Sequence, residues 1–228
     1  MPSVELIILA LGLAWASGIN VYAALALLGV LNVTGYYDLP PGLDGLGSPV
    51  ILFFAVLLYI VEFVADKIPV VDSIWDALHS FIRIPAGAFL AAAALSGAGV
   101  EAQVIAFLLG GGLAAVTHTL KTGTRAVVNT SPEPFTNFGL SIFEDGLVIG
   151  GVLLAIVSPL AFAMAFALFL VFAIWMLPRI FRAVGSIFSF LTGGRKTVRR
   201  NQADATDASF EEDLMLASEK PALEKGKD

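Results

Sequence analysis

Long apolar runs recur along this chain, and they limit its fold more than any other feature of the sequence. Six such runs can be distinguished, and the first, Val4 to about Val33, exceeds the roughly 20 residues that cross a hydrocarbon layer. Charged residues make up only 14% of the chain, against about 25% in soluble domains. A backbone in lipid must satisfy its own hydrogen bonds. The sequence therefore predicts an all-α, polytopic membrane helix bundle with about six membrane-embedded helices.

Connectors rich in proline and glycine separate the predicted helices. The helices are predicted at residues 4–33, 50–65, 85–96, 104–117, 143–157 and 160–177. A shorter amphipathic helix is predicted between the second and third, from Ser73 to Arg83. Leu78 and Phe81 lie on its apolar face, whereas Asp76 and His79 lie on its polar face. Such a helix either lies at the membrane interface or lines a polar cavity.

The first helix contains a small polar segment at its centre. Ser17, Gly18 and Asn20 interrupt an otherwise apolar run of thirty residues. Small and polar residues of this kind predict a helix break that exposes backbone groups within the membrane. The alternative is a packing notch, because small residues let neighbouring helices approach closely.

A polar and charged stretch, Thr117 to Gly146, lies between two of the apolar runs. Spacings of three and four residues place His118, Lys121 and Arg125 on one helical stripe, and Asn129 follows them. Glu144 and Asp145 return at the far end of the stretch. We predict that Lys121 or Arg125 lies within salt-bridge distance of Glu144 or Asp145. The alternative is that the basic residues only anchor the chain at the membrane edge.

Acidic residues form a second candidate site. Glu62 and Asp66 are one turn apart near the end of the second helix, and Asp72, Asp76 and His79 share a face of the next. Such a face can hold a divalent ion or relay protons. A solvated face of an interfacial helix is the alternative for Asp72 and Asp76. Glu62 requires a partner or a proton, because an unpaired charge in an apolar helix is costly.

Basic residues predict the orientation of the chain in the membrane. They occur between helices two and three, between helices four and five, and after helix six, and these three segments fall on one side. The sequence thus predicts a multi-pass protein of the cell inner (cytoplasmic) membrane with both termini in the cytoplasm. Three helices on each side of the turn at 96–103 also predict a 3+3 inverted repeat. The segment Ser17–Asn20 in the first half is weakly similar to Thr122–Arg125 in the second, although chance similarity in apolar sequence would explain this equally well.

The last segment and several absent motifs complete the sequence predictions. Residues 1–192 are predicted to form the transmembrane helical domain, and 193–228, rich in both charges, a disordered cytoplasmic tail. The chain has no cysteine, which excludes disulfides and thiolate ligands. No enzyme motif is present, so we expect no enzyme, no cofactor and no metal centre. Its few basic residues give no reason to expect nucleic acid as a partner.

Two segments resemble those of a known family. Residues 61–88 (VEFVADKIPVVDSIWDALHSFIRIPAGA) and 121–145 (KTGTRAVVNTSPEPFTNFGLSIFED) are similar to a bacterial membrane family catalogued as domain of unknown function 4126. The resemblance covers roughly residues 5–185 and leaves out the tail. It implies an integral membrane protein and supplies neither an activity nor catalytic residues.

Ionisable groups at membrane depth favour a small transporter or channel for an ion or a small anionic, also lipid-linked, solute. Two other hypotheses stay open. One is a non-transporting membrane scaffold whose cytoplasmic tail binds a partner, and the other is a carboxylate-based membrane enzyme acting on lipid. The expected partners are the lipid bilayer and the transported ion or solute, and an oligomer is compatible with the sequence.

Overall fold

The structure, a computed structural model, describes residues 2–129 and 134–186. Over those residues it has six α-helices and no strand. They are α1 (Val4–Val33), α2 (Pro49–Ala65), α3 (Pro69–Ala94), α4 (Val100–Val128), α5 (Pro134–Val157) and α6 (Pro159–Ser186). Short 3₁₀ helices occupy Pro41–Gly47 and Ser96–Ala98. The predicted disordered tail, 193–228, lies outside the described residues. The described residues up to Phe181 form one compact unit.

Five of these helices, α1 and α3 to α6, are long and apolar enough to cross a membrane. The helix α2 reaches that standard together with the 3₁₀ helix before it, from which it is bent by 74°. The described part of the chain therefore has five or six candidate spans. The predicted all-α membrane bundle of about six helices is confirmed.

Proline and glycine residues fix where several of the helices begin. Pro49, Pro69 and Pro134 each stand at the start of a helix, where a missing N–H costs no intrahelical hydrogen bond. Gly99 ends the connector before α4 with φ 93°, a conformation that side chains with a Cβ disfavour. At the beginning of α1, the Ser3 hydroxyl caps the Leu6 N–H at 3.4 Å.

Two predicted boundaries are wrong, both for the same reason. The amphipathic helix at 73–83 and the helix at 85–96 are one continuous helix, α3, with Pro85 inside it. Likewise, most of the polar stretch is helical, because α4 continues to Val128 and α5 already begins at Pro134. The apolar runs mark only the part of each helix that faces lipid or neighbouring helices. Where one face becomes polar the run ends, although the backbone continues.

The centre of the bundle is α1. Every residue from Gly12 to Ala24 is buried, as expected for a helix surrounded on all sides. By contrast, α6 exposes most of its apolar side chains, and Trp15 of α1 holds it through edge-on contacts with Phe162 and Phe169. Exposed apolar surface on this scale fits a bundle whose outer face meets lipid.

The apolar side chains of α3 face outward and its charged side chains face inward, which is the reverse of an amphipathic helix in a soluble protein. Leu78 and Phe81 are 61% and 83% exposed, whereas Asp76 and Arg83 are 2% and 0% exposed. Of the two predicted placements, a polar face lining the interior is therefore correct. The charged residues of α3 are enclosed by the other helices.

Close packing between α1 and α4 depends on Gly18. A Cβ added there would lie 2.5 Å from the Ala114 carbonyl oxygen and 2.7 Å from the Thr117 Cβ. Neither atom belongs to a flexible side-chain end that could move aside. The packing notch predicted at this position is thus present, and Ser17 beside it donates a hydrogen bond to the Arg83 carbonyl at 2.7 Å.

We expect Gly18→Ala to lower the free energy of unfolding by roughly 1–3 kcal/mol, because overpacking forces the two backbones apart. Gly112→Ala on α4 is the matched control, since an added Cβ there meets nothing within 4 Å. Alanine is the better helix former, so the control should be neutral or stabilising by up to about 1 kcal/mol. Unfolding in detergent micelles would measure both. Equal effects of the two substitutions would contradict the close approach.

Candidate functional site: a buried charge network

The break in α1 lies at Asn20, whose backbone has the non-helical angles φ −150° and ψ 95°. In an unbroken helix the Ala23 N–H would donate to the Ile19 carbonyl. Here it donates to Asn20 Oδ1 at 2.9 Å, so that Asn20 caps the second half of the helix. The Ile19 carbonyl accepts instead from Lys121 Nζ at 3.1 Å. The predicted helix break is therefore confirmed, and a lysine from α4 satisfies the carbonyl beside it.

Charged side chains surround this break and are almost completely enclosed. Six carboxyl groups, three permanent cations and two histidines are each at most 7% exposed. They are Glu62, Asp66, Asp72, Asp76, His79, Arg83, His118, Lys121, Arg125, Glu144 and Asp145. We call this set the charge network. It joins α2, α3, α4 and α5 at the level of the middle of α1.

Arg83 joins α2 to α3 within the network. Its Nη2 lies 2.6 Å from Glu62 Oε1, and its Nη1 lies 2.7 Å from Asp76 Oδ1. Charge-assisted hydrogen bonds of this length are stronger than neutral ones. The carboxylate predicted to need a partner, Glu62, has one in this guanidinium.

Lys121 is the hub of the network. Its Nζ lies 3.1 Å from Asp66 Oδ2 and 3.5 Å from Glu62 Oε1. Asp76 Oδ1 and Glu144 Oε2 are each 3.7 Å away. One ammonium group therefore faces four carboxylates from three helices, in addition to the free carbonyl of α1.

Arg125 joins α4 to α5. Its Nη2 lies 2.6 Å from Glu144 Oε2 and its Nε donates to Glu144 Oε1 at 3.3 Å, a two-pronged contact that suits the planar guanidinium. Nη1 also donates to the Asp66 backbone carbonyl at 2.9 Å. The predicted ion pair between the two ends of the polar stretch is confirmed. Asp145 takes a different partner, the Asn20 Nδ2 group, which donates at 3.0 Å.

The contacts of His118 suit a neutral imidazole. Arg83 Nη1 lies 3.3 Å from its Nδ1, and because a guanidinium only donates, Nδ1 accepts in this contact. The Ser80 hydroxyl, 2.6 Å from Nε2, donates to the Asp76 carbonyl and accepts from the Nε2 proton. The tautomer with its proton on Nε2 satisfies both contacts.

His79 has room for a charge. Its Nδ1 donates to the Trp75 carbonyl at 2.8 Å, because a carbonyl oxygen only accepts. The other nitrogen lies 3.1 Å from the Tyr22 hydroxyl, which can either donate or accept. Either protonation state of His79 satisfies both contacts.

The network contains more carboxyl groups than cations. Six carboxyls face three permanent cations, and the nine ion pairs among the described residues involve only those three. Even with both histidines protonated, the six carboxyls would outnumber the five positive charges. Isolated charges are too costly to bury uncompensated. Protons or another cation would balance the remaining negative charge.

Several carboxyl oxygens have no hydrogen-bond donor within the described structure. They are Glu62 Oε2, Asp66 Oδ1, Asp72 Oδ1, Asp76 Oδ2 and Asp145 Oδ2. Asp66, Asp72 and Asp76 also bring one oxygen each within 4.8 Å of the others. Carboxylate oxygens so arranged can accept protons or bind a hard cation. Lys121 and Arg125 lie against the same three residues, which disfavours a resident divalent ion.

The structure brings the predicted site residues together, with Asn129 at the edge. That half-buried side chain donates to Asp72 Oδ2 at 3.1 Å and accepts from Asn137 Nδ2 at 2.8 Å. Sequence reasoning missed Arg83, which it counted among the residues at the membrane edge, and the solvated face given as an alternative for Asp72 and Asp76 is wrong, because both are buried. The signal for Arg83 was its spacing of seven residues from Asp76, which places both on one face of a continuous helix.

We expect Arg125→Gln to cost roughly 3–5 kcal/mol of unfolding free energy, because it leaves Glu144 buried without its guanidinium. Glu144→Gln should lower the free energy of unfolding by less, because the network has more carboxyl groups than cations and this substitution removes one of the carboxyls. The double substitution should lower the free energy of unfolding by about 1–3 kcal/mol less than the sum of the two single effects. Thermal or denaturant unfolding of the purified variants would measure the cycle. Glu101→Gln, at an exposed glutamate, should combine additively with Arg125→Gln; additivity for the Arg125–Glu144 pair would contradict the contact.

The comparison with known proteins places the chain in a family. The family described as Domain of unknown function (DUF4126) matches residues 7–179, which include the whole charge network. No curated protein and no solved structure shows a significant match to the chain. With its apolar helices, the chain is an integral membrane protein, and it belongs to the family Domain of unknown function (DUF4126).

Proposed function

We propose that the protein is a small transporter or channel that moves a cation, H⁺ included, through the charge network. The observation that carries this proposal is the excess of enclosed carboxyl groups over permanent cations. A site whose charge is incomplete without an exchangeable cation is suited to taking up and releasing one. Ionisable groups enclosed in membrane helices commonly mark ion and proton pathways.

The broken helix α1 supports the same function. Secondary transporters commonly place ion sites where a membrane helix is interrupted, because unwound carbonyls and helix ends add ligands. Here the break at Asn20 brings the Ile19 carbonyl and the start of a second helix segment to the network. The carboxylate of Asp145 lies at that helix start, where the helix dipole favours negative charge.

A purely structural role would not require this composition. Ion pairs that only hold helices together can balance their charges, and apolar packing often serves as well or better. In a protein with a purely structural role, the carboxyls in excess of the cations would lower stability and serve no function. This argument favours transport over the scaffold hypothesis.

The charge balance also favours a cation over the predicted anionic solute. Lys121 and Arg125 are each already in contact with carboxylates, at distances from 2.6 to 3.7 Å. An anion would have to displace one of these carboxylates and leave it buried. A cation would instead meet unpaired oxygens.

The orientation proposed for the chain requires a revised argument. Arg83, Lys121 and Arg125 are enclosed in the network and therefore do not serve as membrane-edge anchors. Lys67, in the α2–α3 connector, and Arg179, near the end of α6, still mark the same side. We keep the inner membrane, cytoplasmic termini and a 3+3 inverted repeat, with α1 and α4 as corresponding first helices, within this proposal.

In proteoliposomes, we expect Glu62→Gln to reduce cation flux about tenfold or more, which corresponds to a transport barrier higher by at least about 1.4 kcal/mol. The substitution removes one enclosed carboxyl while keeping an acceptor for Arg83. Flux of H⁺, Na⁺ and K⁺ would be followed with fluorescent indicators. Flux of chloride and phosphate would be measured in the same way for comparison. Exposed Glu101→Gln is the control and should transport normally. Flux of anions alone, or none by a correctly folded wild type, would reject the proposal.

Cysteine labelling tests the orientation separately. Cysteines at Asp44 and Ser96 should react with a membrane-impermeant reagent added outside cells, because their connectors lie opposite the basic side. A cysteine at Lys67 should react only after the membrane is opened. Reaction of the Lys67 position from outside would reverse the orientation without affecting the fold.

A further inference from the structure

A cavity of about 600 Å³ lies between α1, α4, α5 and α6, beside the charge network. Its volume is in the range of small-molecule sites, roughly 300–1,000 Å³. The wall carries six aromatic side chains: Trp15, Phe143, Phe162, Phe166, Phe169 and Phe172. It also carries two charged side chains, Lys121 and Glu144, which belong to the charge network. The cavity is therefore mostly apolar but reaches the network at these two residues.

The polar groups of the cavity lie toward one end. Lys121, Glu144 and Thr124 stand beside the network, whereas Leu154 on α5 and Phe162 on α6 line the far end. From Glu144 to Leu154 is ten residues of helix, about 15 Å. Water requires several polar partners to occupy a buried space. Apart from the Trp15 indole, whose Nε1 has no partner among the described residues, this length of the wall is apolar, so a hydrocarbon chain suits it.

The length of the cavity suits an extended occupant. Its wall runs for about 15 Å along α5 and encloses about 600 Å³. A single hydrocarbon chain fits both the length and the volume.

The electrostatics at the polar end select the head of such a molecule. Lys121 is already surrounded by four carboxylates, and the network keeps an excess of negative charge. Glu144 lines the cavity and is the most exposed carboxyl of the network, at 7%. A hydroxyl or an ammonium group can donate to it, whereas a carboxylate or a phosphate would be repelled.

We propose that this cavity binds the hydrocarbon chain of a single-chain membrane amphiphile whose hydroxyl or amine end meets Glu144. The ligand enters from the bilayer, because the helices that enclose the cavity are membrane spans. This ligand would add to the proposed function a solute whose passage is coupled to the cation. That assignment rests on the proposed function, while binding itself does not.

Photolabelling of the full-length protein tests the binding site. The probes are a long-chain alcohol, amine and carboxylic acid of equal length, each with a diazirine on the chain. Gly150→Phe fills the cavity, since Gly150 lines it and an added Cβ there meets nothing within 4 Å. Gly139→Phe is the control, because that glycine is exposed on the same helix with equal space and lies outside the cavity wall.

The alcohol and amine should label residues of the cavity wall, and Gly150→Phe should reduce this labelling about tenfold, since it occupies the space of several methylenes. Gly139→Phe should label like the wild type, and the acid should label less than either. Unchanged labelling of Gly150→Phe, strongest labelling by the acid, or adducts mapped outside the wall would overturn the proposal. Binding without cation flux would reject only the proposed function, and flux without binding would reject only this site.

Discussion

The contact between Lys121 and the broken helix α1 is the interaction on which the rest of the structure depends. The kink at Asn20 leaves the Ile19 carbonyl without its ordinary helical donor, and Lys121 Nζ satisfies it at 3.1 Å. Once that ammonium group is fixed inside the membrane domain, it requires carboxylates around it, and α2, α3 and α5 supply them. The charges thereby determine how the helices are arranged around α1. Lipid-facing apolar side chains have no comparable directional preference.

Much of this arrangement could be predicted from the sequence, because its physical signals are local. A lone Asn20 beside Ser17 and Gly18 in an apolar helix indicates a break, since polar groups at that depth need specific partners. The stripe of Lys121 and Arg125 and the returning Glu144 indicate an ion pair, because a connector with two prolines can reverse the chain. Such predictions depend on helical spacing and chain reversal alone.

The remaining features depend on how distant segments pack, which spacing alone does not reveal. Pro85 suggests a helix boundary, but in the membrane the helix continues through it, and Arg83 is carried into the interior. The charge imbalance becomes visible only when all helices are assembled and enclose six carboxyls together with three permanent cations. The cavity beside Glu144 likewise requires four helices at once.

Infrared spectroscopy of the carboxyl groups tests the central claim most directly. The purified protein would be examined at neutral pH in a buffer whose only cation is a bulky organic one, which leaves protons to balance the network. Six carboxyls against three fixed cations, with two histidines that add at most two positive charges, predict one to three protonated carboxyls per chain. Their band should decrease in Glu62→Gln and persist in Glu101→Gln. Fully ionised carboxyls in the wild type, with no bound cation, would contradict the account.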